Sequence, residues 1–281
     1  LETLPGGHFV GPALIAVEGI GDLEREVFGP VLHLATFKAR EIDRVIAAVN
    51  ATGYGLTFGL HTRIDDRVQK IADSIHAGNI YANRNQIGAI VGSQPFGGEG
   101  LSGTGPKAGG PNYLPRFTRR PAAGHSFEKD LPADPARIAA ALTVPKGQAA
   151  VWSRLMPGPT GELNRLFTYP RPPVLCLGPG AAATRDQVAA VELLGGQAVA
   201  VDGRLAPESL GSLPAFGAVI WWGDAAAARA YACVLAERDG PIVPLITGQP
   251  DTAHVLLERH LCVDTTAAGG NASLLAGGTA S

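Results

Sequence analysis

The chain has 281 residues, of which 46% are hydrophobic and 17% charged, and its formal net charge is -2. This length can bury one large core or two ordinary ones, and so small a charge gives no bulk attraction to nucleic acid or anionic membranes. No apolar run reaches the length of a membrane span, and no signal-peptide pattern is present. Three widely spaced cysteines indicate reduced thiols without a metal site. We therefore expect a cytoplasmic globular protein.

Strands and helices alternate along the first eighty residues. Apolar residues at helical spacing predict a helix over 41–50 and another after Asp65, which we expect Gly78 to end in the left-handed conformation. Apolar runs rich in β-favouring residues predict strands over 13–17, 31–37, 53–60 and 80–83. This order predicts an α/β fold with a largely parallel sheet.

Residues 94–111 contain seven glycines and three prolines, which excludes a core helix or strand. They predict a long, shaped loop, and the large apolar side chains of Phe96 and Leu101 argue against a flexible linker. The G-x-G-x-x-G pattern at 98–103 is not a dinucleotide fingerprint here, because the prolines and glycines that follow prevent a helix from starting.

The run from Ala77 to Phe117 resembles the late part of an aldehyde dehydrogenase catalytic domain. More narrowly, it resembles the glutamate-semialdehyde dehydrogenase of the bifunctional proline utilization A family. The resemblance rests on the segments Ala-Gly-Asn-Ile-Tyr-Ala-Asn at 77–83 and Gln-Pro-Phe-Gly-Gly at 94–98. Residues 26–30 also match the superfamily's E-x-F-G-P. The resemblance implies that residues 1–118 are the C-terminal part of such a domain.

The resemblance also implies a set of binding residues. Glu26 would accept hydrogen bonds from the nicotinamide ribose hydroxyls of NAD, and Phe28 would pack beside the nicotinamide. Main-chain N–H groups at Gly88 and Ala89 would hold the substrate carboxylate, and Phe96 would line the aldehyde pocket. We expect Glu26 and Phe96 to face one cavity. A surface glutamate and a core-plugging phenylalanine are the alternatives.

The family reaction needs a cysteine nucleophile and a glutamate base, but residues 1–120 contain no cysteine and the chain starts at Leu1. We therefore expect a fragment that is inactive alone, with both catalytic residues upstream. The resemblance implies an upstream proline dehydrogenase domain with FAD, contacts with these domains, a small-molecule substrate and a homo-oligomer. It also allows the parent protein a peripheral position at the inner membrane.

Residues 119–170 are predicted to be a linker with helices, one of which opens at Asp134. Residues 171–281 predict a second, doubly wound Rossmann-like α/β domain, with helices over 184–194 and 225–238. Strands are predicted over 174–177, 198–201, 218–222 and 241–246.

Residues 178–183 fit G-x-G-x-x-A between a strand and a helix, with Asp202 after the next strand, which favours a nucleotide site. Against this, Pro179 removes one of the main-chain donors that would face a pyrophosphate. The resemblance implies instead a non-catalytic, aldehyde-dehydrogenase-like domain.

The tail at 258–275 resembles the family's C-terminal motif, which is implicated in closing a tunnel between two active sites. Its pattern predicts a strand over 261–265 with His260 and Cys262 exposed on one face, and a frayed terminus is the alternative. The alternative for the whole chain is a non-enzymatic scaffold or oligomerisation module of the same fold.

Overall fold

The computed structural model describes residues 7–118, 120–121, 131–143 and 150–266. Strands and helices alternate through most of this length. The elements of the first part are β1 Ala13–Ala16, β2 Val31–Leu34, α1 Ile42–Ala51, β3 Tyr54–Gly55, β4 Thr57–Leu60, α2 Asp65–Ser74, β5 Asn79–Ala82 and β6 Glu99–Gly100. Those that follow are α3 Pro135–Leu142, β7 Trp152–Met156, β8 Glu162–Pro170, β9 Val174–Cys176, α4 Gly180–Leu193, β10 Ala198–Ala200, β11 Ala218–Ile220, α5 Ala225–Ala236, β12 Leu245–Ile246, α6 Thr252–Val255 and β13 Leu256–Asp264.

A five-stranded sheet with the order β4-β5-β13-β8-β7 joins two strands of the first part of the chain to the tail, whereas β1 and β2 form a separate parallel pair. The tail strand β13 lies at its centre, parallel to β5, with His260 opposite Asn79. Its other side pairs antiparallel with the full length of β8, from Leu256 opposite Pro170 to Asp264 opposite Glu162. The tail is therefore a structural part of the unit built by the first eighty residues.

The two faces of this sheet differ in polarity, because side chains alternate along each strand. Ile80 and Leu261 point to one face and belong to an apolar core with Ile71 of α2, Ile75 just after it and Ile46 of α1. The opposite face carries buried polar side chains from the same strands, namely Asn79, Tyr81, His260 and Cys262. The polar face lies against the glycine-rich loop, since the Asn79 side chain donates a hydrogen bond to the Pro95 carbonyl.

The second sheet has the order β10-β9-β11-β12 and is parallel throughout. One of its cores joins Leu175 and Val219 to Tyr231 of α5, and the other joins Cys176 and Ile220 to Val191 of α4. Helices thus cover both faces, and the Rossmann-like prediction is confirmed.

Several local predictions need correction. The helix that precedes Gly78 ends at Ser74, and Gly78 does not have a positive φ. What requires a glycine there is space, since a Cβ would lie 1.9 Å from the Gly97 carbonyl oxygen. The predicted strand over 241–246 is limited to Leu245–Ile246.

Residues 119–170 contain more structure than a linker with helices. The helix after Asp134 is present, with the Asp134 carboxylate accepting a hydrogen bond from the Ala136 N–H. The sequence analysis did not predict β7 and β8, which lie at one edge of the five-stranded sheet. Residues 267–275 of the tail motif are outside the described residues, and the domain boundaries themselves remain predictions.

No helix in the part of the chain that the structure describes is long and apolar enough to cross a membrane. Within those same residues there is no group of three or more histidine, cysteine or acidic side chains that could hold a metal ion.

Candidate functional site

The glycine-rich loop, residues 94–111, is fixed to the polar face of the sheet by the side chain of Asn79. The Asn79 amide nitrogen donates to the Pro95 carbonyl at 2.8 Å, and its oxygen accepts from the Gly97 N–H at 3.1 Å. Asn79 has no exposed surface, so these bonds are shielded from water. A single strand side chain thus holds the main chain on both sides of Phe96.

Lys107 provides the second anchor of the loop. Its amine donates to the Asn79 side-chain oxygen at 2.9 Å and to the Gly97 carbonyl. The Phe96 and Ala108 main chains also exchange two hydrogen bonds and so form an antiparallel β-bridge within the loop. Burial lowers the pKa of Lys107 to about 7.

The tail strand holds the same loop from the other side. The Glu258 carboxylate accepts from the Lys107 main-chain N–H at 2.9 Å and from the Asn112 side chain at 2.8 Å. The adjacent Arg259 donates twice to Glu99, at 2.8 and 2.7 Å. These contacts join the glycine-rich loop to a strand much later in the chain, since Lys107 and Glu258 are 151 positions apart.

Arg171, at the end of β8, adds a third connection. Its guanidinium donates to the Thr104 carbonyl at 2.8 Å and, through Nε, to the main-chain carbonyls of Ala253 and Leu256 at 3.1 Å. Burial lowers the pKa of this guanidinium, and three main-chain carbonyls accept hydrogen bonds from two of its nitrogens. The loop, β8 and the start of β13 are therefore tied together at one point.

A second polar cluster lies under the start of the loop. The Glu162 carboxylate accepts from Arg84 at 2.7 Å, from Gln94 at 2.8 Å and from Asn164 at 2.7 Å. The Cys262 thiol lies 3.2 Å from Arg84, and burial raises its pKa to about 11. A thiol held in the protonated state is a poor nucleophile, so Cys262 does not supply the reactive thiolate of an aldehyde dehydrogenase.

The prediction that His260 and Cys262 are exposed is wrong, since both have no exposed surface. The reason is tertiary: β13 lies between two strands, and the start of the glycine-rich loop covers the face with Cys262, whose sulfur is 3.5 Å from the Gln94 side chain. Burial, together with the charge of Lys107, lowers the pKa of His260 to about 3, against the opposing effect of the Ser93 main chain.

A cavity of about 910 Å³ lies between the segment around Glu26 and the glycine-rich loop. Glu26, Leu101 and Ser102 are among the residues that line it. Ser102 is fixed by a hydrogen bond from the Gly55 N–H to its hydroxyl, at 3.0 Å. The Glu26 side chain is exposed at this cavity, and its role toward NAD remains a prediction.

The other predicted binding residues lie elsewhere. Phe28 is 90% exposed, and Phe96 is half-buried; neither lines the cavity at Glu26. Gly88 is exposed with a φ of 73°, a conformation that favours glycine, and Ala89 beside it is half-buried. The expectation that Glu26 and Phe96 face one cavity is not met at this cavity, and the assignment of all five residues to one site remains a prediction.

The main chain of the G-x-G-x-x-A loop in the second sheet already makes hydrogen bonds with side chains of the following helix. The buried Gln187 side chain accepts from the Gly178 N–H at 2.9 Å and donates to the Gly178 carbonyl at 2.7 Å. Pro179 has no N–H, and the Thr184 hydroxyl donates to the Gly180 carbonyl at 3.0 Å. A cavity of about 530 Å³ next to this loop is lined by Asp202. A phosphate there would lack the Gly178 N–H as a donor, because that group already donates to Gln187.

The residues that fix the loop were not predicted from the sequence: Asn79, Glu99, Lys107, Glu258 and Arg259. One signal was available, since Glu258 to His260 are three polar residues that directly precede an apolar run predicted as a strand. Consecutive polar residues on both faces of a buried strand need partners, but the sequence does not say which.

Comparison with known proteins relates the chain to a family. Residues 2–122 match the aldehyde dehydrogenase family model. The chain is 39% identical over 320 residues to the Bifunctional protein PutA of Escherichia coli (strain K12), and this alignment covers 96% of the chain. It covers 24% of that relative's length.

Two further relatives extend the comparison. A 1-pyrroline-5-carboxylate dehydrogenase of Bacillus cereus (strain B4264) is 46% identical over 110 residues, which are 38% of this chain and 21% of that protein. The solved structure of Proline Utilization A (PutA) from Corynebacterium freiburgense superposes with a TM-score of 0.53 at 23% identity. It covers 85% of this chain and 26% of that one, and at this identity it supports the fold alone.

Proposed function

Residues 2–122 of this chain are part of an aldehyde dehydrogenase domain, and from that premise we propose that the chain serves the NAD-dependent oxidation of L-glutamate γ-semialdehyde to glutamate. The proposal places the chain at the C-terminal end of a bifunctional proline-catabolic enzyme. Its support is the identity of 39% to the E. coli PutA protein over 96% of the chain. The relative named 1-pyrroline-5-carboxylate dehydrogenase supports the same substrate, the cyclised form of this semialdehyde.

The observation that carries the proposal is the cavity between Glu26 and the glycine-rich loop. An exposed carboxylate at the wall of a cavity of about 910 Å³ suits the paired hydroxyls of a ribose, because a carboxylate can accept from both. Leu101 adds an apolar side chain to the lining of the same cavity. NAD bound there would accept the hydride that leaves the aldehyde carbon.

On the substrate side, the proposal gives the chain's residues three tasks. The main-chain N–H groups of Gly88 and Ala89 bind the α-carboxylate, and donors on the main chain need no side-chain ordering. Phe96 forms an apolar wall that excludes water from the aldehyde. The cysteine nucleophile and the glutamate base lie outside this chain, so the chain alone is expected to be inactive.

The test uses the full-length enzyme that carries this segment. Wild-type protein should reduce NAD when given L-glutamate γ-semialdehyde, and Glu26→Gln should raise the KM for NAD about tenfold without a matching change in the KM for the aldehyde. Glu237→Gln, at the exposed end of α5, is the matched control. If wild-type enzyme forms no NADH from this aldehyde, the proposed function is wrong.

We propose that the second Rossmann-like unit is non-catalytic and binds no dinucleotide, because Gln187 and Pro179 together remove main-chain donors from its fingerprint loop. Calorimetric titration of NAD into the 281-residue chain should detect at most the site at Glu26. A second site that survives Glu26→Gln and is lost on Asp202→Ala would contradict this.

The remaining proposals follow from the same family. Upstream domains of the parent chain include a proline dehydrogenase with FAD, the enzyme is a homo-oligomer, and it works in the cytoplasm or peripherally at the inner membrane. Size-exclusion chromatography with light scattering on the full-length enzyme tests the oligomer.

A further inference from the structure

The main chain around Phe96 is fully hydrogen-bonded. The peptide group before it is held at the Pro95 carbonyl by Asn79 and at the Phe96 N–H by the Ala108 carbonyl. The peptide group after it is held at the Phe96 carbonyl by the Ala108 N–H and at the Gly97 N–H by Asn79. Little rotation of this segment is possible unless one of these bonds breaks.

Lys107 is the residue on which these bonds converge. Its amine donates to the Asn79 oxygen and to the Gly97 carbonyl, and its main-chain N–H donates to Glu258. Only 2% of Lys107 is exposed, so water does not replace these contacts. Gly78 leaves room for the amine, since a Cβ there would lie 2.8 Å from Nζ.

The surroundings of this amine match its neutral form. A neutral amine has two N–H donors, and two acceptors face it, whereas the protonated form has a third N–H that would need another buried acceptor. The charged groups that act on it are Glu258 and Glu99, which favour the protonated form, and Arg259, which opposes it. His260 lies uncharged on the same face of the sheet, and burial is the largest effect, which brings the pKa of Lys107 to about 7.

We propose that Lys107 is a positioning residue for the aldehyde pocket, because its amine fixes Asn79 and Gly97 and these two fix the main chain of Phe96. This inference rests on the function proposed above. It adds a pH dependence: protonation of Lys107 loosens the segment, so the affinity for the aldehyde rises as the pH increases through the range around 7.

The experiment compares wild-type full-length enzyme with Lys107→Met, which keeps the length of the side chain and removes its donors. The KM for the aldehyde should rise about tenfold in the variant, with the KM for NAD unchanged. The wild-type KM for the aldehyde should fall between pH 6 and pH 8.5, and this change should disappear in Lys107→Met. Lys70→Met, which removes an exposed lysine paired with Asp43, should keep the wild-type profile.

Hydrogen exchange gives a readout that needs no activity. After correction for the intrinsic exchange rate, the wild-type amides of Phe96, Gly97 and Ala108 should exchange several-fold faster at pH 6 than at pH 8.5. This measurement also decides the question if Lys107→Met does not fold, and it stays informative if the enzyme oxidises a different aldehyde. Equal protection at both pH values, or an equal rise of both KM values in a folded Lys107→Met, overturns the proposal.

Discussion

Arg259 and Glu99 are 160 positions apart in the sequence and form a buried ion pair with two hydrogen bonds, at 2.8 and 2.7 Å. The guanidinium also lies over the ring of Tyr169, 4.8 Å from its centroid. Arg259 belongs to the tail strand and Glu99 to the glycine-rich loop, so the pair fastens the predicted substrate loop to the far end of the chain.

This pair predicts a large loss of stability when one partner is removed. Arg259→Met leaves the Glu99 carboxylate buried without its cation, and we expect the free energy of unfolding to fall by about 3–5 kcal/mol. Urea unfolding followed by circular dichroism measures it. Asp43→Asn breaks the exposed pair with Lys70 and should change stability by about 1 kcal/mol or less; a similar loss in both variants would contradict the assignment.

His260 predicts a dependence of stability on pH. Burial lowers its pKa from 6.5 to about 3, so between these values the unfolded chain binds a proton that the folded chain does not. Stability from this residue is therefore complete above pH 6.5 and is lost as the pH falls toward 3. In His260→Leu, the melting temperature should decline less than in wild type between pH 6.5 and pH 4.5, and parallel curves would rule the mechanism out.

Lys107 predicts that stability also increases with pH, but in a higher pH range than for His260. Its pKa is about 7 in the folded protein and 10.5 for the unburied group, so the unfolded chain carries the extra proton between these values. Stability from this residue rises as the pH increases from 7 to 10.5. Chemical unfolding at pH 7 and pH 9 should show a smaller difference for Lys107→Met than for wild type, and an unchanged difference would refute it.

The close approach at Gly78 predicts that even a methyl group is not tolerated. A Cβ would lie 1.9 Å from the Gly97 carbonyl oxygen and 2.8 Å from the Lys107 Nζ, and the Gly97 main chain has little room to adjust. Gly78→Ala should destabilise the protein by about 2–3 kcal/mol or more and expose the loop to proteolysis. Gly211→Ala, whose Cβ would meet only Val234 at 3.8 Å, is the control and should behave like wild type.

The three cysteines should differ in reactivity. Cys233 is exposed, whereas Cys176 and Cys262 are buried, with burial raising their pKa values to about 12 and about 11. A thiol-specific disulfide reagent at pH 8 should modify one thiol in the folded chain and three after denaturation. Rapid reaction of a second thiol in the folded chain would show that Cys176 or Cys262 is accessible.

The local sequence pattern was sufficient to predict most helices and strands and to identify residues 94–111 as a loop. Apolar residues at helical spacing located α1, α2, α4 and α5 to within a few residues. The glycines and prolines of 94–111 identified a shaped loop, and its motifs led to the aldehyde dehydrogenase family. These features could be read from the sequence because each depends on residues that are close together along it.

Only the tertiary structure revealed that β13 lies at the centre of the first sheet, with His260 buried, and that Lys107, Glu258 and Arg259 hold the loop. The physical reason is that a buried charged residue is stable only beside its partner, and Glu258 and Arg259 have partners 151 and 160 positions away. Sequence spacing carries no information about such pairs, so they appear only when the tail strand joins the sheet formed by β4 and β5.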